Sequence, residues 1–576
     1  MQMTGEELRQ RWLRYRRRFG SRRTILSDLK AGIVLGVESV PDGLASGLLA
    51  GVNPVMGLNA YIVGTFAGAL ATGSVFMSVQ ATGAMAVIIA DVPEVHGDDG
   101  MGAMAMLTVM AGIVMLVLGV ARLGSLVRFI PTAVLIGFVN AVAVNIVLSQ
   151  LENFTGFDSD ADARLLRVVD IAANLLQISW WSVIVGTVTI GLILLLERTP
   201  LGALSMVVAI IVGSALAVVL PDGAVATISD VAEAGRSLPS ISLPDLSMIF
   251  VLIVPALSLA LVGLVQGAAI SGSIPNPDGR YPDASADFRG QGIANIATGM
   301  LQGIPVGGSM SATALSRAAG ARSAAGNLIA AVVMVLSVLV FGPLIGYIAM
   351  PALAGLLILV GVRTVKPRQI VMVFKTGAVQ IAVFLVTFAL TLLIPLQYAV
   401  LAGVGLAVVL QIARQSNRVR VRRWVFDEPN GRPIEQDPPP TLEPGETVVL
   451  TPYGSLFFAS APSFRQQLPD AEHSSPGAFV IIRLRGTDEL GVTFLTMIRT
   501  YAQELAAVGA TLMVAGVGPG CRRSWRRRGC APSSARRTSS SSSPDSETRC
   551  RTRSPRCRVA DSTPGDRCPS PFTGDA

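Results

Sequence analysis

Two short stretches decide how this chain is read: "SVQATGAMAVIIAD" (Ser78–Asp91) and "IPVGGSMSATALSRAAG" (Ile304–Gly320). Each follows a Gly-rich apolar run. Each holds two to four small polar residues and then resumes a short helix-compatible pattern. The second opens with Pro305 and carries no charge until Arg317. They lie about 230 residues apart, which suits two repeats of about seven membrane spans each.

The surroundings are membrane-like. The chain has 576 residues, of which 51% are hydrophobic and 15% charged. A soluble protein is about 25% charged. Apolar runs recur from about residue 31 to about 413, the cleanest being Met101–Val120, Val183–Leu196, Ala203–Leu220, Leu328–Val340 and Ile381–Leu393. A spanning helix needs about 20 such residues. The pattern predicts a polytopic α-helical membrane protein of 12 to 14 segments, without a cleavable signal peptide.

The formal charge of +8 resides in the tail. Residues 521–576 hold 13 Arg and 5 acidic residues, and the rest balances 33 basic against 33 acidic. A nucleic-acid partner is therefore not indicated. All five cysteines (Cys521, Cys530, Cys550, Cys557, Cys568) also fall in that tail, and the chain has two histidines, His96 and His473. Thiolate and histidine metal sites are excluded for the body of the chain. No metal site or resident cofactor is expected, apart from Na+ or H+ as a coupling ion.

Lys and Arg concentrate in cytoplasmic loops close to the spans. The N-terminal "RQRWLRYRRRFGSRR" reads as inside. No Lys or Arg occurs from Ala31 to Ala121, and "DVPEVHGDD" (Asp91–Asp99) reads as outside. Arg122 with Arg128, Arg198, Arg280 with Arg289, Arg317 with Arg322, and "RTVKPRQIVMVFK" (Arg363–Lys375) read as inside. "ENFTGFDSDAD" and "PDGAVATISDVAEAG" read as outside. Both ends of the membrane domain are then cytoplasmic, at the inner (cytoplasmic) membrane, and the number of spans is even.

Discontinuous helices near the bilayer midplane build the substrate sites of inverted-repeat transporters. A helix N-terminus presents unpaired N–H groups and the positive end of the dipole, which favours an anion. Thr82, Ser309, Ser311 and Thr313 could add hydroxyl donors. Close helix packing by small residues is the competing reading. The first span adds "GVESVPDGLASGLLAG" (Gly36–Gly51), in which Glu38, Pro41 and Asp42 sit in an apolar context. A carboxylate at bilayer depth costs about 2.5–3.5 kcal/mol on insertion scales. Cation coupling through Asp42 or Glu38 is the functional expectation, and a place at the helix end near the interface is the other. Pro41 is expected to break the helix.

At these residues the chain resembles the SulP family of anion transporters, which includes the solute carrier 26 sulfate, chloride and bicarbonate transporters. Three stretches carry the resemblance: "DLKAGIVLGVESVPDGLASGLLAGVNPVMGL" (Asp28–Leu58), "GFVNAVAVNIVLSQL" (Gly137–Leu151) and "GQGIANIATGMLQGIPVGGSMSATALSRAAGARS" (Gly290–Ser323). It implies two inverted seven-segment repeats forming core and gate domains, a nucleobase-transporter-like fold, and a homodimer. It implies a substrate site between the third and tenth segments: Gln80, Ala81, Thr82 and Gly83 opposite Gly308, Ser309, Met310, Ser311, Ala312 and Thr313. The partners implied are a small inorganic anion and the lipid bilayer. Four positions depart from the family pattern, among them Ile270, which stands where Na+-coupled bicarbonate members carry a hydroxyl. Asp42 stands in a Pro-Gln-Gly signature. Gln266 replaces an acidic residue of the eighth segment and joins Asp42 and Glu38 as a coupling candidate. Ala312 replaces a frequent Arg, which shifts the expectation towards a monovalent anion such as bicarbonate or a substrate bound with a cation.

After Arg423 the composition changes. Residues 414–444 read as a basic and Pro-rich linker. The β-rich runs from Thr447, Ala478 and Ala510, alternating with helix-like segments, predict a small α/β domain over 445–518 that resembles a STAS domain. Asp488 is followed by Glu489, where related soluble STAS proteins carry a phosphorylated Ser. Beyond "MVAGVGPG" the Arg/Ser/Cys-rich residues 519–576 read as disordered and suggest an out-of-frame tail, which would leave the domain truncated. With 1–27 as a basic cytoplasmic N-terminus and 28–413 as the transport domain, the reading is secondary active transport of an inorganic anion (sulfate or bicarbonate class) and not an enzyme. The alternatives are a nucleobase or dicarboxylate transporter, an anion channel, or a non-transporting STAS-linked sensor or scaffold.

Overall fold

Hydrocarbon offers backbone groups no partners, so apolar segments must satisfy their N–H and C=O groups internally, as helices. The computed structural model follows that rule. It describes residues 18–20, 24–96, 100–124, 132–159, 161, 164–199, 202–221, 223–231, 239–396, parts of 398–410, 419–426, 433–484 (except 455 and 457), 491–516 and 558–560. The chain divides into two units, Met1–Ala407 and Val408–Ala576.

The first unit repeats one order of elements. Its first half comprises α1 (Ile25–Leu49), α2 (Pro54–Ala71), strand β1 (Ser78–Gln80) with the short α3 (Gly83–Ala90), α4 (Gly100–Val120), α5 (Thr132–Thr155), α6 (Arg164–Ala173), α7 (Trp180–Leu196) and α8 (Ser205–Val219). Its second half runs α9 (Ile249–Ser273), α10 (Ala284–Met300), strand β2 (Gly307–Ser309) with the short α11 (Met310–Ala318), α12 (Ala325–Ile345), α13 (Met350–Thr364), α14 (Pro367–Thr376) and α15 (Ala378–Leu393). Partly described helical residues follow to 410. Seven described helices are long and apolar enough to cross a membrane, and three shorter apolar ones, α7, α8 and α15, accompany them. The ten-residue helices α6 and α14 occupy matching places. Both expose apolar side chains, Leu166 and Val169 on one, Val371 and Met372 on the other, as helices lying at a lipid interface do.

Small residues let α1 lie between two neighbours. A Cβ on Gly36 would meet Val333 of α12 at 2.7 Å, and one on Gly47 would meet the Pro54 backbone at the start of α2 at 2.7 Å. Helix α1 also runs unbroken through Pro41, against expectation. The proline removes one N–H, but such losses are tolerated where neighbouring protein covers the helix. Here Pro41 is buried. Glu38 and Asp42 therefore sit inside the helix and not at its end.

Two buried carboxylates brace this unit. Asp28, at the start of α1, accepts bonds from the Arg322 and Ser323 N–H groups (2.7 and 2.9 Å) and from Ser323 Oγ (2.7 Å). Asp287, in the first turn of α10, accepts from the Ser74 N–H and Oγ, both at 2.7 Å. The loops leading into α12 and β1 are thereby fixed.

The described residues of the second unit form a mixed six-stranded sheet, with β3 (Arg420–Phe426), β4 (Pro433–Gln436) and β8 (Arg558–Ala560) joining three central strands in the order β4-β3-β5-β6-β7-β8. Its parallel strands β5 (Thr447–Tyr453), β6 (Phe479–Arg483) and β7 (Thr511–Ala515) fall on the β-rich runs of the sequence, with α16 (Ala461–Arg465) and α17 (Val492–Ala507) between them. Phe464, Phe494, Ile498 and Tyr501 cover the sheet residues Val448, Leu450, Val480 and Ile482.

Two expectations are corrected here. The segment read as a linker supplies β3 (Arg420–Phe426) and β4 (Pro433–Gln436), which join the sheet antiparallel. Its alternation of Val with Arg in "RVRRWVF" concealed a half-buried strand behind its charges. The tail read as disordered supplies β8 (Arg558–Ala560), which pairs parallel with β7 from Met513↔Arg558 to Ala515↔Ala560. An edge strand is held by backbone groups and needs no apolar periodicity. Asp488 and Glu489 lie outside the described residues.

Candidate functional site

The two stretches quoted first come together as a ribbon. Strands β1 and β2 pair antiparallel, with Ser78 opposite Ser309, Val79 opposite Gly308 and Gln80 opposite Gly307. Each strand then turns into a short helix. The N-terminus of α3 leaves one end of the ribbon and that of α11 leaves the other, so both present their free N–H groups towards it. Glycine is required in β2: a Cβ on Gly307 would lie 2.9 Å from Gly263 Cα, and one on Gly308 2.9 Å from Gly267 Cα. Helix α9 lies directly against the strand.

The cap residues differ. Ser309 caps α11, accepting the Ala312 N–H at 3.3 Å, and its Oγ lies 3.2 Å from Ser311 Oγ. Thr82 stands at the N-cap of α3 but makes no cap bond with its side chain. Its hydroxyl donates instead across to Gln266 Oε1 of α9 at 3.0 Å. The residues separate by exposure. Met310 and Ser311 are exposed and Thr82 and Gly83 half-buried, whereas Gln80, Ala81, Gly308, Ser309, Ala312 and Thr313 are buried. Thr313 is used within the ribbon: it donates to the Ser309 carbonyl (2.5 Å) and accepts the Ser78 N–H (3.1 Å). Gln80 is tied by Nε2 to Ser39 Oγ of α1 at 3.0 Å, and its Oε1 is buried without a partner.

Beside Gln266 lies a cavity of about 50 Å³. Its walls are Val134, Leu135, Phe138 and Val139 of α5, Leu261, Val262, Val265 and Gln266 of α9, Thr387 of α15, and Ala399 with Gly403. Gln266 and Thr387 are its polar members. A cavity this size holds a few water-sized groups. It separates α9 from α5, and α5 also approaches the α3 N-terminus: a Cβ on Gly83 would meet Ile146 at 2.8 Å.

No Lys or Arg stands in either half-helix before Arg317. The Arg317 guanidinium lies 5.1 Å over the ring of Phe76. The polar groups here are helix ends, hydroxyls and an amide. Sequence reasoning missed the strands, which are too short to show a period, and the residues that support them: Asn295, Gln291, Asn327 and Ser39.

The acidic pair forms a separate cluster on α1. Asp42 Oδ2 accepts the Tyr61 hydroxyl of α2 at 2.7 Å, and Ser46 Oγ lies 3.3 Å from that hydroxyl. Glu38 stands one turn before Asp42, and its Oε2 is buried with no hydrogen-bond partner among the described residues. Ser39, next to Glu38, is the residue that holds Gln80. Ser39, which lies between the two carboxylates in sequence, thus ties α1 to the ribbon through one hydrogen bond.

Comparison with known proteins agrees with this architecture. The model of the sulfate permease family matches residues 25–387, and that of the STAS domain matches 439–542. The chain is 28% identical to the putative sulfate transporter YvdB of Bacillus subtilis over 468 residues, covering 79% of this chain and 84% of that protein. It is 24% identical to the bicarbonate transporter BicA of Synechocystis over 525 residues, covering 86% and 88%. The murine Slc26a9 anion transporter in the inward-facing state has the same fold, with a TM-score of 0.77 at 17% identity, covering 88% of each chain. The transmembrane domain of a cyanobacterial BicA matches with a TM-score of 0.56 at 23% identity, over 68% of this chain and 98% of that one. The STAS match continues past Cys521, so the expectation of a truncated domain is overturned. The tail's composition had suggested a lost frame, but composition reports burial and not domain extent. This chain is a multi-pass membrane protein and transporter, not an enzyme, and it belongs to the sulfate permease family, with an intact STAS domain at its C-terminal end.

Proposed function

We propose that this protein carries a small inorganic anion of the sulfate or bicarbonate class across the cytoplasmic membrane by alternating access. The observation that carries the proposal is the β1–β2 ribbon, which aims two half-helix N-termini at one polar, uncharged site. Thr82, Gly83 and Ser311, with Gln266 beside them, are the groups open to a ligand. Relatives named for sulfate and for bicarbonate support the anion class. The absence of a guanidinium at Ala312 favours a monovalent anion such as bicarbonate over free sulfate.

Movement of the ribbon and its helices against α5 would expose the site alternately to the two sides. Coupling to H+ or Na+ is assigned to Asp42 and Glu38, which lie within α1, the helix that Ser39 ties to Gln80 of the ribbon. Both termini are cytoplasmic on the charge distribution, the STAS domain has a regulatory or assembly role, and the working unit is a homodimer. Uptake of labelled sulfate, bicarbonate and chloride into proteoliposomes, with and without Na+ and pH gradients, tests the reading. Saturable uptake that disappears in Ser311→Trp supports it. Uptake untouched by that bulky side chain sinks the site, and ohmic currents needing no counter-ion would make the protein a channel.

A further inference from the structure

A three-residue strand has two edges, and β1 covers one edge of β2. In a strand, alternate residues direct their backbone groups to opposite edges. Val306 and Gly308 share the edge away from β1, and in the membrane interior that edge cannot stay bare. Helix α10 covers it with side chains. Asn295 Oδ1 accepts the Val306 N–H at 2.8 Å, and Asn295 Nδ2 donates to the Val306 carbonyl at 2.6 Å. One turn earlier, Gln291 Oε1 accepts the Gly308 N–H at 3.1 Å. The second N–H of Asn295 is taken by the Gln291 carbonyl at 2.8 Å, so this fully buried amide has every hydrogen bond it can donate.

The spacing explains why a helix can do this. Four helical residues rise about 6.0 Å. Two strand residues rise about 6.8 Å. Residues i and i+4 of α10 therefore stay in step with i and i+2 of the extended chain that enters β2, running antiparallel: 291 with 308, 295 with 306. Helix α10 behaves as a third strand made of amides.

We propose that Asn295, seconded by Gln291, is a positioning residue of the transport site. It fixes the height and tilt of β2, and so the aim of the α11 N-terminus that begins at Ser309. The inference rests on the anion-transport reading above. It concerns how tightly the anion is held, not whether the chain folds.

The Asn295→Asp variant keeps the shape. Its carboxylate still accepts the Val306 N–H but repels the Val306 carbonyl. As a neutral acid it donates one O–H and accepts one N–H, which restores the pair. Proteoliposome uptake at pH 7.5 is expected to show KM raised tenfold or more with kcat within twofold of the parent. Acidification should bring KM back towards that of the parent protein measured at the same pH. Gln291→Met, which removes only the acceptor for Gly308, should raise KM by about threefold. A second readout does not depend on transport: deuterium exchange in the peptide spanning residues 304–313 should accelerate in Asn295→Asp at pH 7.5 and slow on acidification. If the parent protein transports none of the anions, the transport reading fails, and the exchange result still decides the positioning role. Unchanged KM and unchanged exchange in Asn295→Leu, whose side chain can neither ionise nor hydrogen-bond, overturn the proposal, as does a loss in Asn295→Asp that falls on kcat alone without rescue by acid.

Discussion

Thr82 and Gln266 lie 3.0 Å apart, hydroxyl to amide, joining the α3 N-cap to the middle of α9. The contact orients the Gln266 side chain at the edge of the cavity and keeps both partners uncharged. Gln266→Glu would place a carboxylate against the helix end proposed to hold an anion. At neutral pH the repulsion should raise the KM for uptake at least tenfold. As pH falls and the carboxylate takes up a proton, KM should recover. A variant that transports normally at neutral pH would remove Gln266 from the anion's surroundings.

The Asp42–Tyr61 hydrogen bond ties a carboxylate of α1 to α2. Asp42→Asn removes the group that can exchange a proton or hold a cation, while keeping its shape. Uptake should then become indifferent to an imposed pH or Na+ gradient, without a loss of binding. Tyr61→Phe should keep the gradient dependence but displace its pH profile. Asp42 is excluded as the coupling group if Asp42→Asn responds to gradients as the parent does.

Asp28 accepts three hydrogen bonds, two of them from backbone N–H groups. Asp28→Ala leaves those donors buried and unmatched. Hydrogen bonds to a charged group contribute about 1.5–3 kcal/mol each, with strong coupling between neighbours. The loss should total about 3 kcal/mol, read as a clear fall in the unfolding temperature of the purified protein. Asn at the same position should retain part of the stability.

In the second unit, the Tyr501 hydroxyl donates to the Pro469 carbonyl at 2.9 Å, in a fully buried place. Tyr501→Phe should cost about 1–2 kcal/mol through the unpaired carbonyl. Protease resistance of the segment around residues 447–515 checks it: cleavage there should speed up while the membrane unit stays intact.

The architecture was largely legible because hydrocarbon imposes a simple code. Apolar runs became helices, and the pair of interrupted segments at matching places became the ribbon. The polar support of that ribbon was not legible. Asn295 and Gln291 look like ordinary polar residues of a moderately apolar helix, and only the strand they face gives them a role. Thr313 misled in the opposite sense. Its hydroxyl promised a ligand donor, but it sits between the two strands. Pro41 was expected to interrupt α1, a rule learned from helices in water that fails where protein covers the gap. In the second unit β4 and β8 were missed because backbone pairing leaves little mark on side-chain chemistry at a sheet edge.

The ribbon has one further consequence. A site whose attraction comes from the ends of two helices has no single side chain whose loss abolishes it. Point changes can plug it, tilt it or add a rival charge, but the peptide groups remain. On the proposed reading, natural variation can redirect such a protein between substrates by editing its rim, through positions such as 82, 266 and 311, while the source of attraction is inherited with the fold itself. The relatives named for sulfate and for bicarbonate are the kind of divergence this arrangement allows.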